Sequence, residues 1–387
     1  SLDIPSQDLT YGKNVLGSDR IFDALGAHYA AHFRPLEPVR HSHIASSNGL
    51  SPLLAHLAAV TADVGDAWLM SAPYYYGFNA DLKTASQVDI ASVSVPVDKV
   101  GTLAEVEALD AEMRRRTKDD KAAKVTTVLL ANPHNPLGFA YSREVILEYA
   151  KLAQRWNLYL VVDEIYALSV FDASDYADPA PFTSILSIDV AAEAQCDPSR
   201  VIQLYGVAKD FGANGLRAGI AVIQHNEQLM AALAGRAMEF RMGSPTDSLW
   251  SALLTSPELP AYLSLNRRAL SRAYAFCTAW LRAQALPYTP AHAGHFVLVD
   301  WRAHVDKVEL QDGDGLSAFA KEFAFLEQLV AGGVYLGPGF SYAVDEPGFF
   351  RMTFSLRRHE LVLALERLET LCGLPAKARE LDGQHPS

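Results

Sequence analysis

Three short polar stretches each follow directly after an apolar run of the sequence. They are "NPHNPLG" with Asn135 after "VTTVLLA" (125–131), "DEIY" with Asp163 and Tyr166 after "LYLVV" (158–162), and "GVAKDFGANGLR" with Lys209 and Arg217 after "VIQLY" (201–205). Taken singly, Asn135 fits a turn, Asp163 a helix cap and Lys209 an ordinary surface position. An amine, an acid, a phenol and an amide at one edge of a sheet are hard to explain as structure alone. Together they indicate a site that works through an activated amine.

The elements that carry these residues alternate between short apolar runs and helical patterns, which predicts an α/β fold with a mainly parallel sheet. The three runs are apolar on both faces, as buried parallel strands are. Thr102 and Glu105 have the spacing of a capping box at the start of one helix. Ser142 is the predicted N-cap of another helix, with its apolar face over the sheet. The carboxyl ends of parallel strands are where such sheets bind ligands, so the polar stretches should converge there.

A second, smaller α+β domain is predicted towards the C-terminus, where apolar and helical segments follow one another. The predicted strands are 294–301, 333–337 and 349–355, and the predicted helices are 315–331 and 358–373. We place the boundary in the long helical stretch 257–286. The predicted division is a large three-layer cofactor-binding domain at 41–280 and a small domain made of 1–40 and 281–387.

Composition and charge exclude several classes of protein. The chain has 387 residues, of which 50% are hydrophobic, and a formal net charge of −12. This balance disfavours nucleic-acid binding, because the one cationic cluster, 114–116, lies in a run of mixed charge. The cysteines Cys196, Cys277 and Cys372 are scattered, which predicts a reducing compartment and neither a disulfide framework nor a metal site. No apolar stretch approaches ~20 residues and no signal-peptide pattern is present, so we expect a soluble cytoplasmic protein without membrane contact.

Pyridoxal-phosphate chemistry needs this set of side chains. Lys209 would form a Schiff base with the cofactor aldehyde, and Asp163 would keep the ring nitrogen protonated so that the ring accepts electrons. Tyr166 and Asn135 are expected at the ring O3′, where hydrogen bonds lower the pKa of the Schiff base. Arg217 could bind the phosphate bidentately.

These motifs, together with "FFRMTFS" (349–355), resemble the class I/II aminotransferase family of fold-type I pyridoxal-phosphate enzymes. More narrowly, "PYYYGFNADL" (73–82) and "KDFGANGLRAG" (209–219) resemble its aminocyclopropane-carboxylate synthase-like branch, including the fungal members. The resemblance runs from about Leu9 to about Cys372. It implies cofactor contacts at Lys209, Asp163, Asn135, Tyr166, Arg217 and Tyr75, a phosphate loop at Gly49, Leu50 and Ser51, and a substrate-carboxylate clamp at Arg351, with Asn135 and Tyr75 also touching substrate.

The same resemblance implies a homodimer with shared sites, in which Tyr11 reaches the phosphate in the partner subunit. Two positions depart from the family pattern, since Gly206 and Ala208 stand where many relatives have serine. Phosphate binding is therefore expected to depend more on Arg217, on Ser51 and on backbone amides. Phe296 and Asn79 are further pocket candidates.

The reaction stays open at this stage. The resemblance favours an elimination on an amino-acid substrate, namely a carbon–sulfur lyase or an aminocyclopropane-carboxylate synthase-like reaction, possibly within natural-product biosynthesis. Ring-forming synthase activity ranks lower, because the Ala-Glu-Asn motif of the synthases has no counterpart before "LTYG" in this sequence. The alternative is an aminotransferase. A remote alternative is a binding module without catalysis, which the presence of both Lys209 and Asp163 disfavours.

Overall fold

The structure, a computed structural model, describes residues 6–10, 14–310 and 318–384. Its regular elements alternate along the chain as the sequence predicts. The strands are β1 Ile44–Ser47, β2 Ala67–Ala72, β3 Asp89–Ser94, β4 Val125–Ala131, β5 Tyr159–Asp163, β6 Val201–Gly206, β7 Gly219–Val222, β8 Tyr288–Thr289, β9 Phe296–Asp300, β10 Gly337–Pro338 and β11 Phe349–Thr353. The helices are α1 Asp19–His32, α2 Leu50–Thr61, α3 Gly77–Ser86, α4 Leu103–Arg116, α5 Arg143–Trp156, α6 Val190–Ala194, α7 Glu227–Arg236, α8 Ser244–Leu254, α9 Leu259–Ala283, α10 Arg302–Val305, α11 Ala318–Ala331, α12 Arg358–Cys372 and α13 Ala378–Gln384.

Two sheets organise the described part of the chain. The larger one has seven strands in the order β1-β7-β6-β5-β4-β2-β3, and its strands run parallel except that β7 is antiparallel to both neighbours. The smaller sheet has four strands in the order β10-β11-β9-β8, and all its pairs are antiparallel. The predicted α/β class with a mainly parallel sheet is confirmed, and an α+β part accompanies it.

Helices cover both faces of the large sheet, because its strands are apolar on both faces. Along β5, Leu160 and Val162 point into one core, shared with α1, α4 and α5, while Val161 points into the other, shared with α2, α3 and α7. The small sheet has a core of its own with α9, α11 and α12. Among the described residues, no helix is both long enough and apolar enough to span a bilayer.

Of the two predicted helix starts, at Ser142 and at Thr102, one capping interaction is confirmed and the other is wrong. Ser142 caps α5 as predicted, since its hydroxyl accepts a hydrogen bond from Val145 N at 3.3 Å. Thr102 is the N-cap residue of α4, but the capping box is wrong. Glu105 instead lies buried beneath the helix and binds Gly101 N and the hydroxyl of Tyr149. A buried carboxylate gains more from several internal donors than from one exposed backbone amide.

The strand predicted at 333–337 is also wrong in its extent. Only Gly337–Pro338 pairs with β11, and residues 334–336 form no strand. The amides of Gly333 and Val334 instead close the C-terminal end of α11, where they donate to Val330 O and Leu329 O at 2.9 Å each, so they are not free for a ladder with β11. The strands predicted at 294–301 and 349–355 are confirmed as β9 and β11.

Candidate active site

A cavity of about 330 Å³ opens at the carboxyl-terminal edge of the large sheet. The predicted polar stretches meet in it because β4, β5 and β6 are adjacent and parallel, so their last residues lie side by side. The lining residues that the sequence predicted are Gly49, Leu50, Ser51, Tyr75, Asn135, Asp163, Tyr166, Lys209, Arg217 and Arg351. The geometry therefore brings together the predicted cofactor- and substrate-binding residues except Tyr11, which lies outside the described residues. The further pocket candidates Phe296 and Asn79 do not line the cavity.

Asp163 is the last residue of β5 and lies at the floor of the cavity, where it is only 7% exposed. One carboxylate oxygen accepts the amide of Ile165 at 3.1 Å. Burial, with a smaller contribution from the nearby carboxylate of Asp81, raises the pKa of Asp163 to about 7 against the opposing effects of the Ile165 amide and of Lys209. A buried carboxylate that accepts one hydrogen bond is stabilised in its ionised form when a positively charged group binds beside it.

Lys209 follows β6 and is half-buried at the cavity wall. Its ammonium nitrogen lies 5.8 Å from the centre of the Tyr166 ring. Burial lowers the pKa of Lys209, and the positive charge of Arg351 lowers it further. Since the neutral amine is the nucleophilic and basic form, this environment activates Lys209 for bond formation and proton transfer.

Arg351 projects from β11 of the small sheet into the same cavity. Its Nη1 donates to the side-chain oxygen of Asn135 at 2.9 Å. The guanidinium is packed between the rings of Phe296 and Tyr342, at 4.6 and 4.7 Å from their centres. Its Nε is buried without a hydrogen-bond partner. A fixed guanidinium with a free donor is suited to a carboxylate from outside the chain.

The opposite end of the cavity is shaped for an anion. Gly49 precedes the first turn of α2 with φ of 118°, and a Cβ there would lie 2.7 Å from Nη2 of Arg217. Glycine thus lets the guanidinium approach the backbone where the first amides of α2 are free. Helix N-termini attract anions through these amides and the helix dipole.

Ser51, in the first turn of α2, lines the cavity together with Asp81 of α3. Burial raises the pKa of Asp81, while the Ser51 hydroxyl favours the ionised form of that carboxyl and opposes this larger effect of burial. The sequence reasoning overlooked Asp81, for which its position in "GFNADL" gave no chemical signal.

The absence of serine at position 206 has a steric basis. A Cβ on Gly206 would come within 2.8 Å of the backbone oxygen of Ala218, because β7 pairs closely with β6 at this point. Ala208 lines the cavity without contributing a donor. The donors available at this end of the cavity are therefore Arg217, Ser51 and the first amides of α2.

The remaining candidates occupy separate places. Tyr75 lies at the mouth, 38% exposed, with its ring edge-on to Phe78. Phe296 supports Arg351 from below rather than lining the cavity. Asn79 binds the hydroxyl of Tyr74 and the backbone oxygen of Tyr76, and it is not among the lining residues. Tyr342 was missed, because an aromatic residue between two short elements carries no signal of a distant arginine.

The arrangement fits pyridoxal 5′-phosphate. A buried carboxylate that needs a cation, an amine with a lowered pKa and an anion cradle at a helix N-terminus line a single cavity. These are the partners of a pyridinium nitrogen, an aldehyde and a phosphate. The fold and the site together define an enzyme that uses this cofactor.

The chain belongs to the class I and II aminotransferase family, whose model matches residues 14–368. Similar proteins include the probable aminotransferase gliI of Aspergillus fumigatus, 32% identical over 95% of this chain and 82% of that protein. The human 1-aminocyclopropane-1-carboxylate synthase-like protein 1 is 29% identical over 90% of this chain and 67% of its own. The predicted family and branch are confirmed.

Solved structures show the same fold. Aspartate aminotransferase from Rhizobium meliloti aligns with a TM-score of 0.77 at 19% identity, over 95% of this chain and 85% of that chain. A mutant of the Thermus thermophilus aspartate aminotransferase aligns with a TM-score of 0.75 at 21% identity, over 95% and 89%. These likenesses confirm the predicted fold-type I architecture. The family match and the curated relatives show a pyridoxal-phosphate-dependent enzyme, a lyase or an aminotransferase, as predicted.

Proposed function

We propose that the protein is a carbon–sulfur lyase that acts on a sulfur-bearing α-amino acid. The observation that carries the amino-acid part of this proposal is Arg351, whose buried Nε has no partner and whose Nη1 is fixed by Asn135. This guanidinium would bind the substrate α-carboxylate, and it would hold the Cα–H bond on the side of the cavity that Lys209 lines.

The charges of the cavity favour a substrate without a side-chain carboxylate. Among the described lining residues the cations are Lys209, Arg217 and Arg351. We assign these to the cofactor aldehyde, the cofactor phosphate and the substrate α-carboxylate, which leaves none of them for a second carboxylate. A thioether or disulfide side chain needs no such partner. This supports a substrate without a side-chain carboxylate, the class to which sulfur-bearing amino acids belong, over aspartate or glutamate.

In the proposed reaction Lys209 Nζ takes the proton from Cα, and the bound cofactor supplies an electron sink for the pair left behind. Asp163 holds the proton on the ring nitrogen, which keeps that sink positively charged. With a cysteine S-conjugate, the pair then forms the Cα–Cβ double bond while the Cβ–S bond breaks and the sulfur leaves with its electrons. Lys209 returns its proton to the leaving thiolate. The unsaturated amino acid leaves with its amine, and its hydrolysis by water gives a keto acid and ammonia. Atoms and charge therefore balance without any keto acid being consumed, and Lys209 is ready for the next cycle.

The experiment that tests this proposal is incubation with a panel of cysteine S-conjugates and S-adenosylmethionine, with no keto acid present. We expect many turnovers, with release of a thiol or thioether detected by mass spectrometry. If every reactive substrate is consumed only once per site and the reaction resumes when a keto acid is added, the enzyme is an aminotransferase. No reaction with any amino acid, in protein loaded with cofactor, would favour a binding module.

We further propose that the enzyme is a homodimer whose partner subunit supplies Tyr11 to the phosphate end of the site. The support is the match of "LTYGKNVLGSDR" (9–20) to the family segment with this role. Mixing Tyr11→Ala chains with Lys209→Ala chains tests it, because each mixed dimer would contain one site with both residues intact. Activity should exceed that of either variant alone. No gain after subunit exchange would contradict shared sites.

A further inference from the structure

A buried carboxylate beside the active-site lysine has no role in the chemistry above. Asp210 directly follows Lys209 and is completely buried. Its carboxylate accepts hydrogen bonds from Ser169 Oγ at 2.5 Å, from Leu168 N at 2.9 Å and from the hydroxyl of Tyr205 at 3.0 Å. The carboxylate therefore joins the segment of Lys209 to the loop that follows Tyr166.

The two hydrogen bonds of the Ser169 hydroxyl determine which group donates and which accepts along a chain of contacts from Asp210 to His295. An ionised carboxylate only accepts, so the single hydroxyl proton of Ser169 is donated to Asp210. The second contact of the hydroxyl is with Nε2 of His295, at 3.2 Å. Ser169 must accept in that contact, which requires a proton on Nε2. With Asp210 ionised, His295 is thereby fixed as the neutral tautomer that carries its proton on Nε2.

His295 stands next to the reactive groups. Its ring meets the ring of Tyr166 edge-on at 5.6 Å. Burial lowers the pKa of His295 to about 4, and the charges of Lys209 and Arg351 contribute to this lowering. The neighbouring strand β9 pairs with β11 so that Leu298 lies opposite Arg351. The chain of contacts thus runs from the Lys209 segment, past Tyr166, to the sheet that carries the carboxylate clamp.

We propose that Asp210, Ser169 and His295 form a positioning relay that holds the Tyr166 ring and the Lys209 segment in register with the small sheet. His295 acts as a positioning residue through its ring contact with Tyr166, and the relay fixes the orientation of that ring. The effect of this relay on kcat rests on the proposed function, since it concerns proton transfer by Lys209. The predicted tautomer of His295 is independent of that function, because it follows from the hydrogen bonds of the cofactor-free protein.

Nitrogen-15 NMR of histidine-labelled protein without cofactor tests the tautomer, at a pH above the pKa of Asp210. The His295 signals are assigned by their loss in His295→Gln. We expect a protonated Nε2 and an unprotonated Nδ1, and in Ser169→Ala a mixture of both tautomers. A ring protonated on Nδ1 in the unchanged protein, or a tautomer unaffected by Ser169→Ala, would overturn the relay whatever reaction the enzyme catalyses.

Kinetics with any amino acid that reacts tests the positioning, with rates expressed per bound cofactor. Ser169→Ala should lower kcat by about three- to tenfold, the range of one buried hydrogen bond, with KM nearly unchanged because Arg351 is untouched. Ser169→Thr keeps the hydroxyl and should restore most of the rate. If Ser169→Ala fails to fold, His295→Leu takes its place as the test variant and should lower kcat by the same three- to tenfold. His295→Gln can still donate to Ser169, so its kcat should fall less.

The matched control is Ser251→Ala, which removes another buried hydroxyl, bonded to Asp247 O at 2.7 Å within α8. It should alter stability but not kcat. The positioning role fails if Ser169→Ala and Ser251→Ala change kcat per bound cofactor equally. It also fails if Ser169→Thr is as slow as Ser169→Ala.

Discussion

Arg351 donates a hydrogen bond to the side-chain oxygen of Asn135 at 2.9 Å, although 216 positions separate the two residues in the chain. The contact joins β11 of the small sheet to the loop after β4 of the large sheet. It also fixes the amide of Asn135, since an oxygen engaged by Arg351 leaves the NH₂ group to donate elsewhere. One hydrogen bond therefore orients both the proposed carboxylate clamp and the predicted O3′ donor.

Replacing Arg351 with lysine should lower kcat/KM by roughly tenfold or more. The charge is kept, but the planar fork that binds Asn135 and a carboxylate together is lost, at a cost of about 1.5–3 kcal/mol for a charge-assisted contact. Steady-state kinetics with the best amino-acid substrate measures the effect. Unchanged kinetics would mean that the substrate carboxylate binds elsewhere.

Lys209→Ala should abolish turnover and remove the visible absorbance of bound cofactor, because no other amine among the described residues lines the cavity. The fold should survive, since the half-buried side chain contributes little to the core. Absorbance spectra and circular dichroism report the two properties separately. A yellow, active variant would disprove the assignment of Lys209.

Asp163→Asn should keep the shape of the cavity and part of the cofactor affinity, but lower kcat by about 100- to 1000-fold. An amide cannot hold the ring nitrogen in its protonated form as a carboxylate does. Rates per bound cofactor separate this effect from weaker binding. Near-normal turnover would leave Asp163 with only a structural role.

The cofactor-free protein should show the raised pKa of Asp163 in its stability. Between an ordinary pKa near 4 and the value of about 7, folded Asp163 keeps a proton that the unfolded chain has released, so rising pH favours unfolding. Asp163→Asn removes this effect. The variant should therefore gain stability over the unchanged protein by up to about 1.4 kcal/mol per pH unit across this range, with no further gain above it.

Urea unfolding of both proteins without cofactor, at a series of pH values, measures this difference. Glu164 and Asp210 also have raised pKa values, of about 8 and about 7, because both are buried. They are present in both proteins and largely cancel in the comparison. A difference independent of pH would show that Asp163 is ionised in the folded protein across the whole range.

Many of the residues at the carboxyl-terminal edge of the large sheet could be predicted from the sequence, because the sequence patterns that mark them are local. Buried parallel strands are apolar on both faces, and a polar residue directly after such a strand must lie at the edge of the sheet. Asn135, Asp163 and Lys209 were found in this way. The position of Arg351 in the cavity was implied only by resemblance, since an isolated arginine in a short strand has no local signal.

The tertiary structure alone decided the contacts between segments distant in the chain. Asp81 of α3 and Ser51 of α2 line the same cavity. Glu105 accepts buried hydrogen bonds from Gly101 N and the Tyr149 hydroxyl instead of acting as a capping residue. Ser169 meets His295 because the loop after β5 packs against the start of β9. Periodicity and spacing report which face of an element is buried and where it ends. They do not report which side chain of a different element will come within hydrogen-bonding distance, because that depends on how the elements pack against each other.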